Sequence, residues 1–209
     1  NPTAAKNEET LLLESINDDP DMAIRLLKEI RIRQGLGDQR YANLLWRNAA
    51  LRALVQSDVE LQDSAIERLY DVMYGAKRTG RIAVYSDLRD AHRAKERIDA
   101  GEPFIDIISD SSIATSAATG GKFGPLSQDD PEYPTPLRDT LWGMELDQYS
   151  SPVLFQERYA IIQFIDETPA ENITLEKAQP DLQRALRLTQ ERLLMSQLAR
   201  RLVNGTEVT

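Results

Sequence analysis

The chain has 209 residues, a net charge of −9 and no cysteine. Its length holds one sizeable domain or two small ones, and 41% hydrophobic residues are enough for a real core. Missing cysteines exclude disulfides and thiolate chemistry, the acidic balance argues against nucleic acid, and no run of 18 apolar residues exists to span a membrane.

Asp19 before Pro20 predicts an N-cap with proline in the first helical turn. Met22, Ala23, Leu26, Leu27 and Ile30 then recur at helical spacing until Gly35 and Gly37. Asp38 predicts the cap of a second helix, striped by Tyr41, Leu44, Leu45, Leu51, Leu54 and Val55. A third begins at Asp63, carries Ile66, Leu69, Tyr70, Met73 and Tyr74 on one face, and closes at Gly75 as a left-handed cap.

Arg81 to Tyr85 is short, β-branched and aromatic, and reads as a strand. A helix follows from Asp87 to Ala100, its exposed side rich in charge and carrying His92, the only histidine. One histidine without cysteines gives no expectation of a metal site, and nothing calls for a cofactor. From Phe104 to Pro136 the chain is rich in Ser, Gly, Pro and Asp, so irregular backbone is expected. A short helix near Pro136 to Met144 and a buried strand from Tyr159 to Ile165 complete this region.

The end is helical, with Pro180 in the first turn and Leu182, Leu186, Leu193, Leu194, Leu198 and Leu202 on one side as far as Val203. Such a helix is about 36 Å long, too long to cover only a small α/β domain. Its partner is expected to be the N-terminal helices, whose apolar faces are otherwise unpaired. The predicted class is therefore α+β: an N-terminal helical region over 1–77, an inserted domain over 78–168, and a C-terminal segment over 169–209 packing back on the first. Unpaired helical faces also leave a domain-swapped homodimer open.

Three motifs carry a resemblance. Gly120-Gly121-Lys122-Phe123-Gly124, Ser150-Ser151-Pro152-Val153 and Arg158-Tyr159-Ala160-Ile161-Ile162 follow one another. Their order and spacing resemble the Gly-Gly-x-x-Gly turn, Ser-x-Pro-Val segment and final strand of parvulin-type peptidyl-prolyl isomerases. Phe104-Ile105-Asp106-Ile107-Ile108 takes the place of a family helix, and Ser112 that of a family serine. The stretch from Tyr70 to Gly75 before the first strand is similar to exported folding factors of the SurA/PrsA type.

That resemblance implies an exported, periplasmic or cell-envelope folding factor that binds unfolded or extended polypeptide at proline or aromatic segments. It places Phe123, Tyr133 and Leu137 where the family clasps proline. The family's polar centre aligns with Arg81, Ala114, Phe155 and Ala160, none of them equivalent, so the implied isomerase activity is weak or lost. An alternative keeps an active isomerase with Arg81 polarising the substrate carbonyl, and Arg81 is therefore also counted among the substrate-binding positions. A further alternative is a non-catalytic subunit of a cell-envelope assembly. No signal peptide is visible, and Asn1-Pro2-Thr3 reads as the start of a mature or trimmed chain.

Overall fold

The computed structural model describes residues 2–206, so Asn1 and residues 207–209 lie outside the described residues. The chain divides into two compact units, residues 1–61 with 183–209, and residues 62–182.

The first unit is helical and is built from both chain ends. It holds α1 (Pro2–Ile16), α2 (Pro20–Arg33), α3 (Asp38–Val55) and most of α8 (Leu175–Thr206). Sequence reading missed α1. Ala5, Leu12, Leu13 and Ile16 of that helix pack around Leu27, Tyr41 and Leu45. The buried residue of α1, however, is Glu8, and a buried carboxylate interrupts the apolar period on which such reading depends. Asp19 caps α2 as expected, its Oδ1 accepting from Asp21 N–H at 2.9 Å and Met22 N–H at 3.2 Å. Asp38 does not cap α3; Gly37 precedes the helix and Asp38 lies in its first turn.

Met195, Leu194, Leu198 and Ala199 of α8 pack on Leu51 and Val55 of α3. Leu54, by contrast, is 63% exposed, and Leu193 and Leu202 also face out. Their place in a leucine stripe did not make them core. Pro180 is inside α8 rather than in its first turn. The helix starts earlier, where the Thr174 hydroxyl accepts from Lys177 N–H at 3.4 Å. No described helix is long and apolar enough to cross a membrane.

The second unit carries α4 (Asp63–Tyr74), β1 (Lys77–Tyr85), α5 (Leu88–Asp99), α6 (Phe104–Ser111), β2 (Lys122–Leu126), α7 (Thr135–Trp142), β3 (Val153–Phe155) and β4 (Arg158–Thr168). Its bounds differ from the expected 78–168, because α4 goes with the sheet unit. Tyr70 Oη donates to Ile173 O at 2.5 Å, and Glu171 N–H donates to Tyr74 O at 2.8 Å. Gly75 ends α4 with φ −66°, not as a left-handed cap. Glycine is needed there for space: a Cβ would lie 2.4 Å from Asp71 Oδ1. The stretch expected to be irregular holds α6 and β2; of these, the family resemblance had implied the helix at Phe104.

All strand pairings are antiparallel, in the order β2-β1-β4-β3. In the central pair Ile82 lies opposite Ile162 and Val84 opposite Ala160. Alternation along these strands makes two cores. Ala83, Tyr85 and Ile161 pack with Ala91, Ala94 and Ile98 of α5 and Phe104, Ile107 and Ile108 of α6. Ile82, Val84, Ala160, Ile162 and Phe164 pack on the other side with Leu126, Leu137, Leu141 and Met144.

Candidate functional site

The motif residues hold the backbone of the sheet. Gly120 and Gly121 have φ of +71° and +66°, a region that favours glycine. Gly121 O accepts from Ile82 N–H at 2.8 Å, and a Cβ on Gly121 would lie 2.4 Å from Ile82 O. Ser112 Oγ accepts from Val84 N–H at 3.0 Å and Ala114 N–H at 3.2 Å. Ser150 Oγ accepts from Ile162 N–H at 2.9 Å, while Ser150 N–H donates to Ile162 O at 2.8 Å. These contacts fix the strand positions from which the site is built.

On the face of the sheet covered by α7, the structure gathers most of the positions singled out in the sequence. Leu137 and Ala160 are buried there, and Ala114, Phe123, Tyr133 and Phe155 lie half-buried against them. The Phe123 and Tyr133 rings are 6.1 Å apart and inclined at 50°. Phe123 lies over the backbone of β1: a Cβ on Gly80 would be 2.6 Å from Phe123 Cε1. Glycine at 80 therefore makes room for the ring.

Arg81 is not part of this group. Ile82 and Val84 face α7, Ala83 and Tyr85 face α5 and α6, and alternation puts Arg81 with the second set. Its Nη1 donates to Gly120 O at 2.6 Å. The β1 residues that share the face of Ala160 are Ile82 and Val84, the second directly opposite it. Nothing in the strand's hydropathy could have shown on which face Arg81 lies. Both faces of β1 are apolar, so period-two patterning is silent, and only the register with β4 tells the faces apart.

Sequence reading also missed Arg78, which organises the wall of the site. Its Nη1 donates to Leu141 O at 3.1 Å, Trp142 O at 2.9 Å and Met144 O at 3.1 Å. Its Nε donates to Glu167 Oε2 at 2.8 Å. The guanidinium lies 4.6 Å from the Trp142 ring centre and 4.4 Å from that of Phe164. A cation at the carbonyl end of α7 is favourable, and the two rings add cation–π attraction. α7 carries Leu137, so Arg78 sets where that side chain stands.

Among these side chains polarity is sparse. The Tyr133 hydroxyl is one polar group, and the Trp142 indole N–H is another, buried without a hydrogen-bond partner. No three His, Asp or Glu side chains are grouped to hold a metal ion among the described residues. Such a surface can bind an apolar ring or proline by burial. It offers little to a developing charge. The helical unit has an apolar feature of its own, an open groove of about 670 Å³ whose lining includes Leu13, Ile24, Leu27, Ile32 and Leu36.

No protein-family model matches the chain, and no curated protein matches it. Solved structures do. The chain is similar to the peptidylprolyl isomerase PrsA of Bacillus anthracis at 15% identity, over 98% of this chain and 90% of that one, with a TM-score of 0.54. It is similar to the foldase PrsA of Streptococcus pneumoniae at 14% identity, over 100% and 86%, with a TM-score of 0.54. PrsA of Bacillus cereus gives 17% identity, 99% and 84%, and again 0.54. The chain has the PrsA fold. In that fold the sheet unit is the parvulin-like part, and the helical unit is formed by segments before and after it in the chain.

Proposed function

We propose that this chain is an exported protein-folding factor of the parvulin type that binds extended polypeptide, with isomerase activity weak or absent. The observation that carries this reading is the chemistry of the face covered by α7. Ile82, Ala114, Phe155 and Ala160 are apolar positions around the Phe123, Tyr133 and Leu137 group.

Rotating an X-Pro bond requires loss of amide resonance, a barrier of about 18–20 kcal/mol. An enzyme lowers it by gripping the proline and favouring the twisted amide electrostatically. Removing one preorganised donor elsewhere costs about 2.7–4 kcal/mol. Two such losses erase most of a modest acceleration, while the apolar grip remains. Arg81 is a poor substitute, since it faces the other side and its guanidinium is engaged with Gly120. Exposed Met22, Ile24, Ile32 and Trp46 on the helical unit are further support for binding unfolded clients.

Exchange NMR on a proline peptide tests the chemistry, on the unmodified chain and on an Ile82→His, Ala114→Asp, Ala160→His variant. Ile82 and Ala160 are diagonal neighbours on one face, which Arg81 and Ala160 are not. The unmodified chain should isomerise the peptide little or not at all, and the variant more. Activity in the unmodified chain equal to that of an ordinary parvulin would overturn the reading. Suppression of aggregation of an unfolded client tests the binding half.

A further inference from the structure

The charge of this protein is unevenly placed. Residues 62–182 hold 12 Lys and Arg against 22 Asp and Glu, a net −10. Residues 1–61 with 183–209 hold 13 against 12, a net +1. The net negative charge of the chain therefore belongs to the unit that carries the Phe123 and Tyr133 rings.

Within that unit three carboxylates, Asp129, Asp130 and Glu132, lie in the turn that leads into Tyr133. Tyr133 is delivered by a turn in which Tyr133 N–H donates to Asp130 O at 3.4 Å and Asp130 N–H to Ser127 O at 3.3 Å. Asp129 and Glu132 of this turn are exposed, and Asp130 is half-exposed. The neighbouring cation, Arg138, donates through Nη1 to Gln128 O at 2.7 Å and through Nη2 to Thr135 Oγ1 at 3.0 Å, both uncharged oxygens, while its buried Nε has no hydrogen-bond partner. Asp129 also lines an open basin of about 470 Å³ with Ser64, Glu67, Arg68, Asp71 and Gln128. Three carboxylates there meet one guanidinium, and Asp71 Oδ2, shielded from solvent, has no hydrogen-bond partner.

An apolar ring pair and an acidic basin thus share one turn. Resting on the polypeptide-binding reading above, we infer that this site selects segments in which a lysine or arginine lies close to the proline or aromatic residue held by Phe123 and Tyr133. The field of the whole unit draws basic chains in and repels acidic ones. The turn supplies the local acceptors. An exposed ion pair changes affinity by up to about fivefold, so two such pairs set the scale of the selection.

The test uses the full chain and three fluorescent peptides of equal length around one Phe-Pro core, flanked by lysine, glutamine or glutamate. Anisotropy titrations at low and moderate salt give the affinities. The lysine peptide should bind several-fold tighter than the glutamine peptide, the glutamate peptide weakest, and added salt should compress the series. In an Asp129→Asn, Asp130→Asn, Glu132→Gln variant the order should flatten while the glutamine peptide binds as before. The asparagine at 130 keeps the oxygen that accepts from Glu132 N–H, so the turn is preserved. Equal binding of all three peptides in the unmodified chain overturns the charge selection and leaves polypeptide binding standing. Binding of none of them overturns the polypeptide-binding reading and this inference with it.

Discussion

Arg52 on α3 donates through Nη1 to the carboxylate of Glu191 on α8, 139 residues further along the chain. The same guanidinium donates through Nε and Nη2 to Glu8 of α1, the second contact at 3.1 Å. Both carboxylates are buried. Hydrogen bonding to Glu8, opposed by burial and helped by Glu191, raises the pKa of Arg52 above its ordinary value. One cation thus ties the first helix, the third and the last into a single unit.

Arg52→Met strands two buried carboxylates and should destabilise the helical unit by about 3–5 kcal/mol, read by urea unfolding followed by circular dichroism. Glu191→Leu leaves a one-to-one pair with Glu8 and should cost less. Leu54→Asp, although it alters a leucine of the expected stripe, should stay within about 0.5 kcal/mol because Leu54 faces solvent. A large loss at Leu54 would show that another surface covers it.

Gly80→Ala should damage the ring site. The added methyl meets Phe123 at its ring edge, and overpacking of this kind costs about 1–3 kcal/mol. Peptide affinity should fall more than stability does, since Phe123 must leave its place beside Tyr133. Unchanged peptide affinity would remove Phe123 from the binding site.

Arg78→Ala should loosen α7. Three carbonyls lose their donor and the Trp142 and Phe164 rings lose the cation between them, at a cost of at least about 2 kcal/mol. Trp46 and Trp142 are the two tryptophans of the chain, so a Trp46→Phe background isolates the signal of Trp142. Its emission should shift to the red in the Arg78→Ala variant.

Tyr41 ties stability to alkaline pH. Burial first, then its hydrogen bond to Glu9 Oε1 at 3.0 Å and the charge of Glu9, push its pKa up to about 12, against the opposing pull of Arg31. The neutral phenol is the form that suits the fold. Its contribution, about 3 kcal/mol, is complete below pH 10 and is lost as pH rises through about 12. Tyr41→Phe should flatten that loss, measured as unfolding free energy between pH 9 and 12.

Much of the candidate site was legible because it rests on local chemistry. Glycines with positive φ at 120 and 121, and serines at 112 and 150 that bond strand backbone, leave letters at fixed spacing. Those letters located Phe123, Tyr133, Leu137, Ala114, Phe155 and Ala160, which the structure brings together. Arg81 stands apart from them on the other face, and a strand apolar on both faces carries no mark of which side faces α7.

Local signals at Asp19 and Asp87 likewise determined where helices begin, since each side chain bonds a backbone N–H two or three residues on. The α+β class and the pairing of the chain's two ends followed from the length and apolar side of the last helix. Only the tertiary structure decided which charged residues are internal. Glu8 and Glu191 look like surface residues in the sequence, and they are buried because Arg52, far from both in the chain, compensates them. Leu54 looks internal and lies in solvent. Hydropathy is a property of one residue, whereas burial is set by partners that only the folded chain brings within reach.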